Sequence, residues 1–267
     1  MRIPTVSLPH GGGPWPLLPL DGFRDDERLP LAAALRTVGA IAPAPRAAIV
    51  ISAHWEEAAF TVNVGARPAM LYDYGGFPPE AYQLAWPAPG DPALAAAVVS
   101  LIGGAGLPVA TDAGRGFDHG VFLPMMLAFP EAAIPTVQLS LRRGLDPEEH
   151  LALGRALAPL RDEGVLVVGS GESFHNMGAF FRPTPHFVTA SRAFDGFLTE
   201  VAEASPADRD AALVAWERAP AARIAHPREE HLLPLMVVAG AAGPDRGRVA
   251  FRGTMAGLTI AAHWFGG

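Results

Sequence analysis

The sequence has 267 residues, no cysteine and a formal net charge of -7, because 27 acidic residues outnumber 20 basic residues, all of them arginine. Half of the residues are hydrophobic and only 18% are charged, which excludes a disordered chain. The lack of cysteine excludes a disulfide scaffold, a thiolate metal site and a cysteine nucleophile. Histidine, carboxylate or water must therefore hold any metal.

Short apolar or β-branched runs, most of them bounded by glycine, proline or another turn former, predict buried strands. In chain order they are residues 5–8, 47–52, 60–64, 135–140, 165–169, 248–251 and 258–262. Helical patterns are found at residues 92–102, 121–128, 147–161, 187–203, 207–217 and 229–239. Strands that alternate with helices predict an α/β fold, a single domain over residues 1–267 with a central mixed sheet flanked by helices.

Two helix starts and one loop stand out in this order of elements. Asp91, followed by proline, is a predicted N-cap for the helix at 92–102. The helix at 147–161 begins with acidic residues, which suit the positive end of its dipole. The segment 66–90 is rich in glycine, proline and aromatics, and a loop of that length indicates a functional loop or an insertion near a site.

Five of the nine histidines stand at the ends of predicted elements. His10 and His54 follow or end the first two strands, and His175 follows the strand at 165–169. His119 and His231 stand at the starts of apolar helices. Ligands bind beyond the carboxyl ends of strands in open α/β sheets, so these side chains predict one shared, histidine-rich metal site at that edge. Zinc, iron, copper and nickel all accept histidine, and composition does not choose among them.

The other four histidines carry no such context. His150 and His186 are predicted to be surface residues. His226, which precedes a proline, is predicted to be a loop residue, and His263, at the end of the last strand, a structural one.

Five motifs occur in register along the chain. They are HGGGP at 10–14, SAHW at 52–55, GFDHG at 116–120, SFHN at 173–176 and EHLLPL at 230–235. Together they resemble the class III extradiol ring-cleaving dioxygenases, in particular the DOPA 4,5-dioxygenase-like branch, which is distantly related to the protocatechuate 4,5-dioxygenase catalytic subunit. The segment GGFP at 75–78 is also similar to that branch. The resemblance covers about residues 5–240 and implies an α/β fold with the metal at one edge of the sheet.

The resemblance implies a ligand set for the metal. In the wider family two histidines and one glutamate hold Fe(II), and the two histidines match His10 and His54. In the DOPA-like branch a histidine stands near the glutamate position, which matches His231, with Glu230 as the adjacent alternative. Three histidines and a water molecule are also the ligand set of a catalytic zinc site. Fe(II) is thus the metal expected for activity, and Zn(II) is a possible bound metal.

The resemblance also assigns the acid–base residues. His175 is expected to be the base that takes a catechol proton, and His119 the acid or the hydrogen-bond donor on the oxygen side; the reverse assignment stays open. His175 is also a candidate fourth metal ligand when no substrate is bound. Asp118 is a candidate orienter of a neighbouring histidine or a helix N-cap, and the cap is favoured.

The substrate contacts are not determined by the sequence. Aromatic residues could wall a pocket for an aromatic ring, although local packing explains each of them equally well. They are Trp15, Tyr72, Phe77, Tyr82 and Phe174. Arg182 or Arg228 could pair with a substrate carboxylate, or each could be a solvated surface charge. Glu172 is either a loop residue or a modifier of the site's electrostatics.

The leading hypothesis is an extradiol dioxygenase that cleaves a catechol, DOPA-like or protocatechuate-like, with O2. The alternatives are a zinc-dependent hydrolase, with His175 or Glu230 as the base, and a non-enzymatic Memo-like binding protein. No basic run suggests a nucleic-acid partner, no apolar stretch reaches the ~18 residues of a membrane span, and no signal peptide is evident, so a cytoplasmic protein is expected. Residues 264–267 are expected to pack in the core, and a homo-oligomer is left open.

Overall fold

The computed structural model describes residues 2–21 and 23–267. Its strands are β1 (Thr5–Pro9), β2 (Ala47–Glu57), β3 (Phe60–Asn63), β4 (Val109–Asp112), β5 (Thr136–Arg142), β6 (Val165–Gly171), β7 (Gly247–Met255) and β8 (Leu258–Phe265). They form one mixed sheet in the order β4-β3-β5-β2-β6-β1-β8-β7. The predicted α/β class with a central mixed sheet is confirmed.

Helices and short 3-10 turns connect the strands. The helices are α1 (Asp25–Val38), α2 (Pro92–Gly104), α3 (His119–Ala128), α4 (Pro147–Leu157), α5 (Met177–Phe181), α6 (Pro185–Glu203), α7 (Pro206–Val214), α8 (Ala222–Ala225) and α9 (Leu233–Ala242). The 3-10 turns are Pro79–Gln83, Ala158–Glu163 and Trp216–Arg218. Among the helices of residues 2–21 and 23–267, none is both long and apolar enough to cross a membrane.

The direction of the central strands creates the edge on which the site lies. Strands β5, β2, β6 and β1 are neighbours and run parallel to one another. Their carboxyl ends therefore meet at one edge of the sheet. β8 pairs antiparallel with β1, and β7 pairs antiparallel with β8, which extends the sheet on one side.

Hydrophobic residues cover both faces of the sheet. In β2, Ile49 and Ile51 belong to the core with α2, α4, α6, α7 and α9, whereas Ala48 and Val50 belong to the core with α1 and α3. Alternate side chains of a strand point to opposite faces, so a strand that is buried on both faces has a continuous apolar sequence. This is why the sequence predicted β2 and β6 well.

The predicted helix starts at Asp91 and at residue 147 are confirmed. The Asp91 carboxylate accepts the Leu94 N–H at 2.9 Å, and Asp146 accepts the N–H groups of Glu148 and Glu149. These bonds satisfy donors that have no partner within the helix.

Sequence analysis missed α1, β4 and the two short helices α5 and α8. α1 is charged at its start and contains a proline, yet it buries one amphipathic face through Leu31, Leu35 and Val38. β4 is a short strand whose middle residues are exposed, so it has no apolar run to detect. The last predicted helix also begins later than expected, at Leu233, after a turn over residues 229–232.

The prediction that His150 is a surface residue is wrong. Its side chain is 0% exposed and packs edge-on against Phe60. Nδ1 donates to the Asp146 carbonyl at 2.7 Å, and Nε2 accepts the Arg142 N–H at 3.3 Å. Burial lowers the pKa of His150 to about 4. These partners are the N-cap residue of α4, the last residue of β5 and the first residue of β3, so the burial depends on how the helix packs against the sheet and not on the sequence around His150.

The predictions for the other three histidines outside the site are confirmed. His186 is exposed, and His263 is buried in β8. His226 lies outside the helices and strands, although it is buried, and its Nε2 donates to the Ser173 carbonyl at 3.1 Å. Phe265 packs in the core, as expected for the last residues of the chain.

Candidate metal centre

Five histidines from five parts of the chain converge at the carboxyl edge of the sheet. His10 directly follows β1, and His54 lies in the distal half of β2. His119 is the first residue of α3, His175 follows β6, and His231 lies in the turn before α9. These are the five histidines that the sequence predicted to share a site, and the structure brings all of them together. We call their side chains the histidine wall.

His10 and His54 have the spacing of two ligands to one ion. Their Nε2 atoms lie 3.0 Å apart. The Ser170 hydroxyl donates to the Gly120 carbonyl, so Ser170 accepts from the His10 Nδ1–H at 3.1 Å. This hydrogen bond places the proton of His10 on Nδ1 and leaves the Nε2 lone pair free. Two nitrogens bound at ~2.1 Å with a right angle between them would lie about 3.0 Å apart.

Two histidines could supply a third nitrogen. His10, His54 and His119 form one group whose ligand atoms lie within 4.8 Å of one another, and His175, Glu230 and His231 form another. The ring centroids of His10, His54 and His231 are almost equally spaced, at 4.8, 4.9 and 5.3 Å. The ring of His119 is 3.9 Å from that of His54 and 5.4 Å from that of His10. The donor set therefore fits a metal with His231 or His119 as its third ligand.

Glu230 holds two of the histidines. Its Oε1 accepts from Nδ1 of His231 at 2.9 Å and lies 3.3 Å from Nδ1 of His175. The two rings are stacked, with 3.4 Å between centroids and 12° between planes. A carboxylate on Nδ1 orients the ring and makes the free Nε2 more basic. Glu230 is thus placed behind the histidines, with both of its histidine contacts on Nδ1.

The environment keeps the candidate ligands neutral. Burial, followed by the nearby histidines, lowers the pKa of His10 and of His54 well below the ordinary value. Burial also lowers the pKa of His231 to about 4, although Glu230 opposes this shift. A metal binds the deprotonated imidazole. Because these histidines are already neutral at neutral pH, they can bind a metal without first losing a proton.

Asp73 is a site residue that sequence analysis missed. Its Oδ1 accepts from Nδ1 of His119 at 2.8 Å and from the His119 N–H at 3.0 Å, and its Oδ2 lies 3.7 Å from Nδ1 of His54. Asp73 belongs to the loop 66–90, which the sequence predicted to lie near a site. Its position between two tyrosines in that loop was the available signal.

The favoured prediction for Asp118, a capping side chain, is wrong. Asp118 occupies the N-cap position of α3, but among the described residues its carboxylate bonds to no N–H of that helix. It accepts instead from the Ser52 hydroxyl at 2.7 Å, from Arg115 at 3.1 Å and from the Gln138 amide. Ser52 in turn accepts the His54 N–H, and Arg115 donates to the His54 carbonyl. Asp118 therefore positions the backbone of His54, which is the orienting role that the sequence left open.

A cavity of about 310 Å³ opens in front of the histidine wall. Its other side consists mainly of hydrophobic side chains, which we call the apolar wall. They are Phe23, Tyr74, Phe77, Met177, Phe180, Phe181 and Met255. Of the five aromatics predicted to wall a pocket, Phe77 lines the cavity, whereas Trp15 and Phe174 are buried in the core. Neither Tyr72 nor Tyr82 is among the described lining residues.

Two glycines of the HGGGP motif bring the apolar wall close to His10. Gly11 and Gly13 have positive φ angles of 81° and 55°, which favour glycine. A Cβ at Gly13 would lie 2.7 Å from the ring of Phe77, and one at Gly11 would lie 2.7 Å from Pro16. The glycines thus allow a tight turn after β1 and the close approach of Phe77.

Glu172 is the acidic residue of the cavity. It is 4% exposed, and its Oε1 accepts the Gly11 N–H at 2.6 Å. Oε2 is buried and has no hydrogen-bond partner within residues 2–21 and 23–267. Burial raises the pKa of Glu172 to about 8, although the Gly11 N–H opposes this shift. Glu172 therefore lines the cavity and is not a solvent-facing loop residue.

The two predicted arginines lie outside the cavity lining. Arg182 is exposed. Arg228 is exposed and pairs with Glu56 and, at 3.3 Å, with Glu230.

This fold and histidine site agree with a match to a known family. Residues 31–260 match the family of the catalytic LigB subunit of aromatic ring-opening dioxygenase. The chain therefore belongs to this family, and the predicted class of enzyme, an extradiol ring-cleaving dioxygenase, is confirmed.

Individual relatives extend this result to most of the chain. A dioxygenase of Hapsidospora irregularis, named tasH, is 40% identical over 283 residues, which cover 99% of this chain and 86% of that protein. A protein of Beta vulgaris named 4,5-DOPA dioxygenase extradiol is 43% identical over 204 residues, 75% of either chain. A protein of the same name from Escherichia coli K12 is 32% identical and covers 90% of this chain and 85% of its own.

A solved structure shares the fold. The crystal structure of an uncharacterized protein from Escherichia coli K12 superposes with a TM-score of 0.79 at 29% identity, and it covers 99% of this chain and 100% of that one. The predicted resemblance to the DOPA 4,5-dioxygenase-like branch is thus confirmed by sequence relatives, and the fold by this structure.

Proposed function

We propose that this protein cleaves the ring of a catechol with O2 at a mononuclear non-haem iron, and that residues 1–267 form one catalytic domain. The observation that carries the proposal is the near-equal spacing of the His10, His54 and His231 rings beside a cavity with an apolar wall. A facial set of three protein ligands is typical of non-haem Fe(II) oxygenases and leaves positions open for two reactants. We take His231 as the third ligand because its ring is nearly equidistant from those of His10 and His54. His119, whose ligand atom also lies within 4.8 Å of theirs, is the alternative.

Bound at these histidines, Fe(II) would orient the catechol and dioxygen and allow electron density to pass between them. The residues of the chain supply binding and proton transfer. The apolar wall excludes water from one side of the ring, and Phe77 and Tyr74 offer aromatic surfaces to it. The cavity is large enough for one substituted benzene ring, given that ligand pockets commonly start near 300 Å³.

His175 is proposed as the base. Its ring lines the cavity, and Glu230 lies 3.3 Å from Nδ1, which leaves Nε2 for the substrate. Nε2 would take the proton of a catechol hydroxyl, and the Glu230 carboxylate would stabilise the resulting imidazolium.

His119 is proposed as the acid on the oxygen side. Asp73 accepts its Nδ1–H at 2.8 Å, so Nε2 is the nitrogen that faces the reaction, and a second proton carried on Nε2 would be the one delivered to the reacting oxygen. The Tyr74 ring packs against the His119 ring at 5.5 Å, while the Tyr74 hydroxyl donates to the Ala81 carbonyl at 2.6 Å. Tyr74 is therefore part of the apolar wall, and its hydroxyl is not available as the acid.

The test is anaerobic reconstitution with Fe(II), followed by plain catechol, 4-methylcatechol, protocatechuate and DOPA in air. We expect oxygen uptake and the visible absorbance of a ring-opened semialdehyde with at least one of them. A protein that holds one iron and takes up no oxygen with any catechol would contradict the proposal. Turnover of an ester by the zinc-loaded protein instead would support the zinc hydrolase, which uses the same three histidines. Family membership among dioxygenases favours the first reaction.

A further inference from the structure

The cavity offers no cation to a substrate carboxylate. The chain has no lysine, so only an arginine could pair with such a group. Among the described residues that line the cavity there is no arginine, and the single acidic residue is Glu172. Arg115 is engaged behind the histidine wall with Asp118 and the His54 carbonyl. An anionic ring substituent would therefore lose its hydration without gaining an ion pair.

Glu172 does not replace the missing cation. Its Oε1 is fixed by the Gly11 N–H, and its buried Oε2 has no partner in the described part of the chain. A buried polar atom without a partner costs free energy until a ligand supplies one. Glu172 can therefore form one hydrogen bond with a substrate, but it cannot form an ion pair with a carboxylate.

The outer part of the cavity is hydrophobic and exposed. Met177 and Phe181 of α5 line it, and they are 51% and 73% exposed. The Asn176 side chain holds the start of this helix, because it accepts the Ala179 N–H at 3.1 Å and donates to the Ile224 carbonyl at 2.8 Å. Large exposed apolar side chains at the rim of a cavity indicate a surface that a ligand covers.

We propose that the cavity selects catechols with an uncharged, apolar ring substituent and discriminates against catechols with a carboxylate. The lack of a cation in the lining disfavours the carboxylate, and Phe181 and Met177 contact the apolar substituent. The inference rests on the proposed ring cleavage and names the substrate class of that site. DOPA and protocatechuate both carry a carboxylate, so each is expected to be a poorer substrate than its methyl ester.

The test compares 3,4-dihydroxyphenylacetate with its methyl ester on the iron-loaded protein. The pair differs in charge while the reacting ring is nearly the same. We expect kcat/KM to be at least 10-fold higher for the ester, and anaerobic calorimetry to show tighter binding of the ester. An acid that binds and reacts as well as its ester would overturn the inference and leave ring cleavage intact. If neither compound binds or is cleaved, the inference and the proposed function both fail.

A variant tests the missing cation. Met177→Arg places a guanidinium at the rim of the cavity, so the ester-to-acid ratio should fall at least 3-fold, chiefly because the acid improves. Leu29→Arg, at an exposed position outside the cavity lining, is the matched control and should leave the ratio unchanged. An unchanged ratio in a folded, iron-loaded Met177→Arg protein would show that the lack of a cation does not cause the discrimination.

A second variant tests the apolar contact. Phe181→Ala should lower kcat/KM for 4-tert-butylcatechol about 10-fold and leave plain catechol within 2-fold, because only the former reaches the outer cavity. Val214→Ala removes an exposed apolar side chain of α7 that does not line the cavity, and it serves as the control. Equal losses for both catechols would contradict the assignment of Phe181.

Discussion

The histidine wall and the apolar wall line one cavity but are built in different ways. The histidines come from the ends of β1, β2 and β6 and from the starts of α3 and α9, and a carboxylate or a hydroxyl holds Nδ1 of His10, His119 and His231. The apolar wall comes mainly from loops, from the short helix α5 and from the end of β7. The sheet therefore positions the histidines, and the loops and α5 form the surface that we propose to contact the substrate.

The largest expected effect is the loss of a metal ligand from the histidine wall. His54→Ala should abolish tight metal binding, because two remaining nitrogens do not hold an ion against buffer and water. The metal content of purified protein, measured by atomic emission, checks this. Full metal content in His54→Ala would refute the ligand assignment.

The same measurement identifies the third ligand. His231→Ala should lose the metal, whereas His119→Ala should keep it, because the His231 ring completes the evenly spaced set. The opposite result would exchange the roles of the two residues. Both variants remove a histidine from the same wall, so each controls for the other.

The next effect separates binding from catalysis within the histidine wall. His175→Ala should retain metal and lose turnover by ~10² to 10⁴-fold, the usual contribution of general acid–base catalysis. Single-turnover kinetics with a saturating catechol would report the loss. If the metal is lost as well, His175 is a ligand and not only a base.

A smaller effect is expected for Asp118, which positions His54 from behind the histidine wall. Asp118→Asn should weaken metal affinity ~10 to 100-fold, as is typical for residues that orient ligands. The cause is weaker positioning of His54 through Ser52 and Arg115. Competition with a metal chelator measures the affinity. Asp91→Asn, at the cap of α2, is the control, and the same affinity in both variants would show that Asp118 does not position His54.

The smallest effect lies away from both walls. His150 has a pKa of about 4 when folded and 6.5 when unfolded, so the unfolded chain binds more protons between these pH values. The free energy of unfolding should therefore fall as the pH decreases from 6.5 to 4. In His150→Gln the slope should be shallower by up to ~1.4 kcal/mol per pH unit. Urea unfolding of the metal-free wild-type and His150→Gln proteins at three pH values measures this slope. Equal slopes in the two proteins would contradict the lowered pKa of His150.

Sequence patterns predicted the strands that are buried on both faces and missed a short, exposed strand. β2 and β6 have continuous apolar runs and were found, whereas β4 is short and exposed at its centre. The histidines were found for a related reason. Each stands at or near the end of an element, and because the central strands run parallel, their carboxyl ends lie side by side.

The sequence by itself determined the class of fold, the family and the five histidines that meet, because strand periodicity and motifs are local properties of the chain. Tertiary structure decided the rest. Gly11 and Glu172 are far apart in sequence, as are Ser52 and Asp118 or Asp73 and His119, yet each pair is joined by a hydrogen bond. The burial of His150, the partners of Asp118 and the aromatics that line the cavity depend on such distant contacts. No local pattern of residues contains that information, because packing between elements determines it.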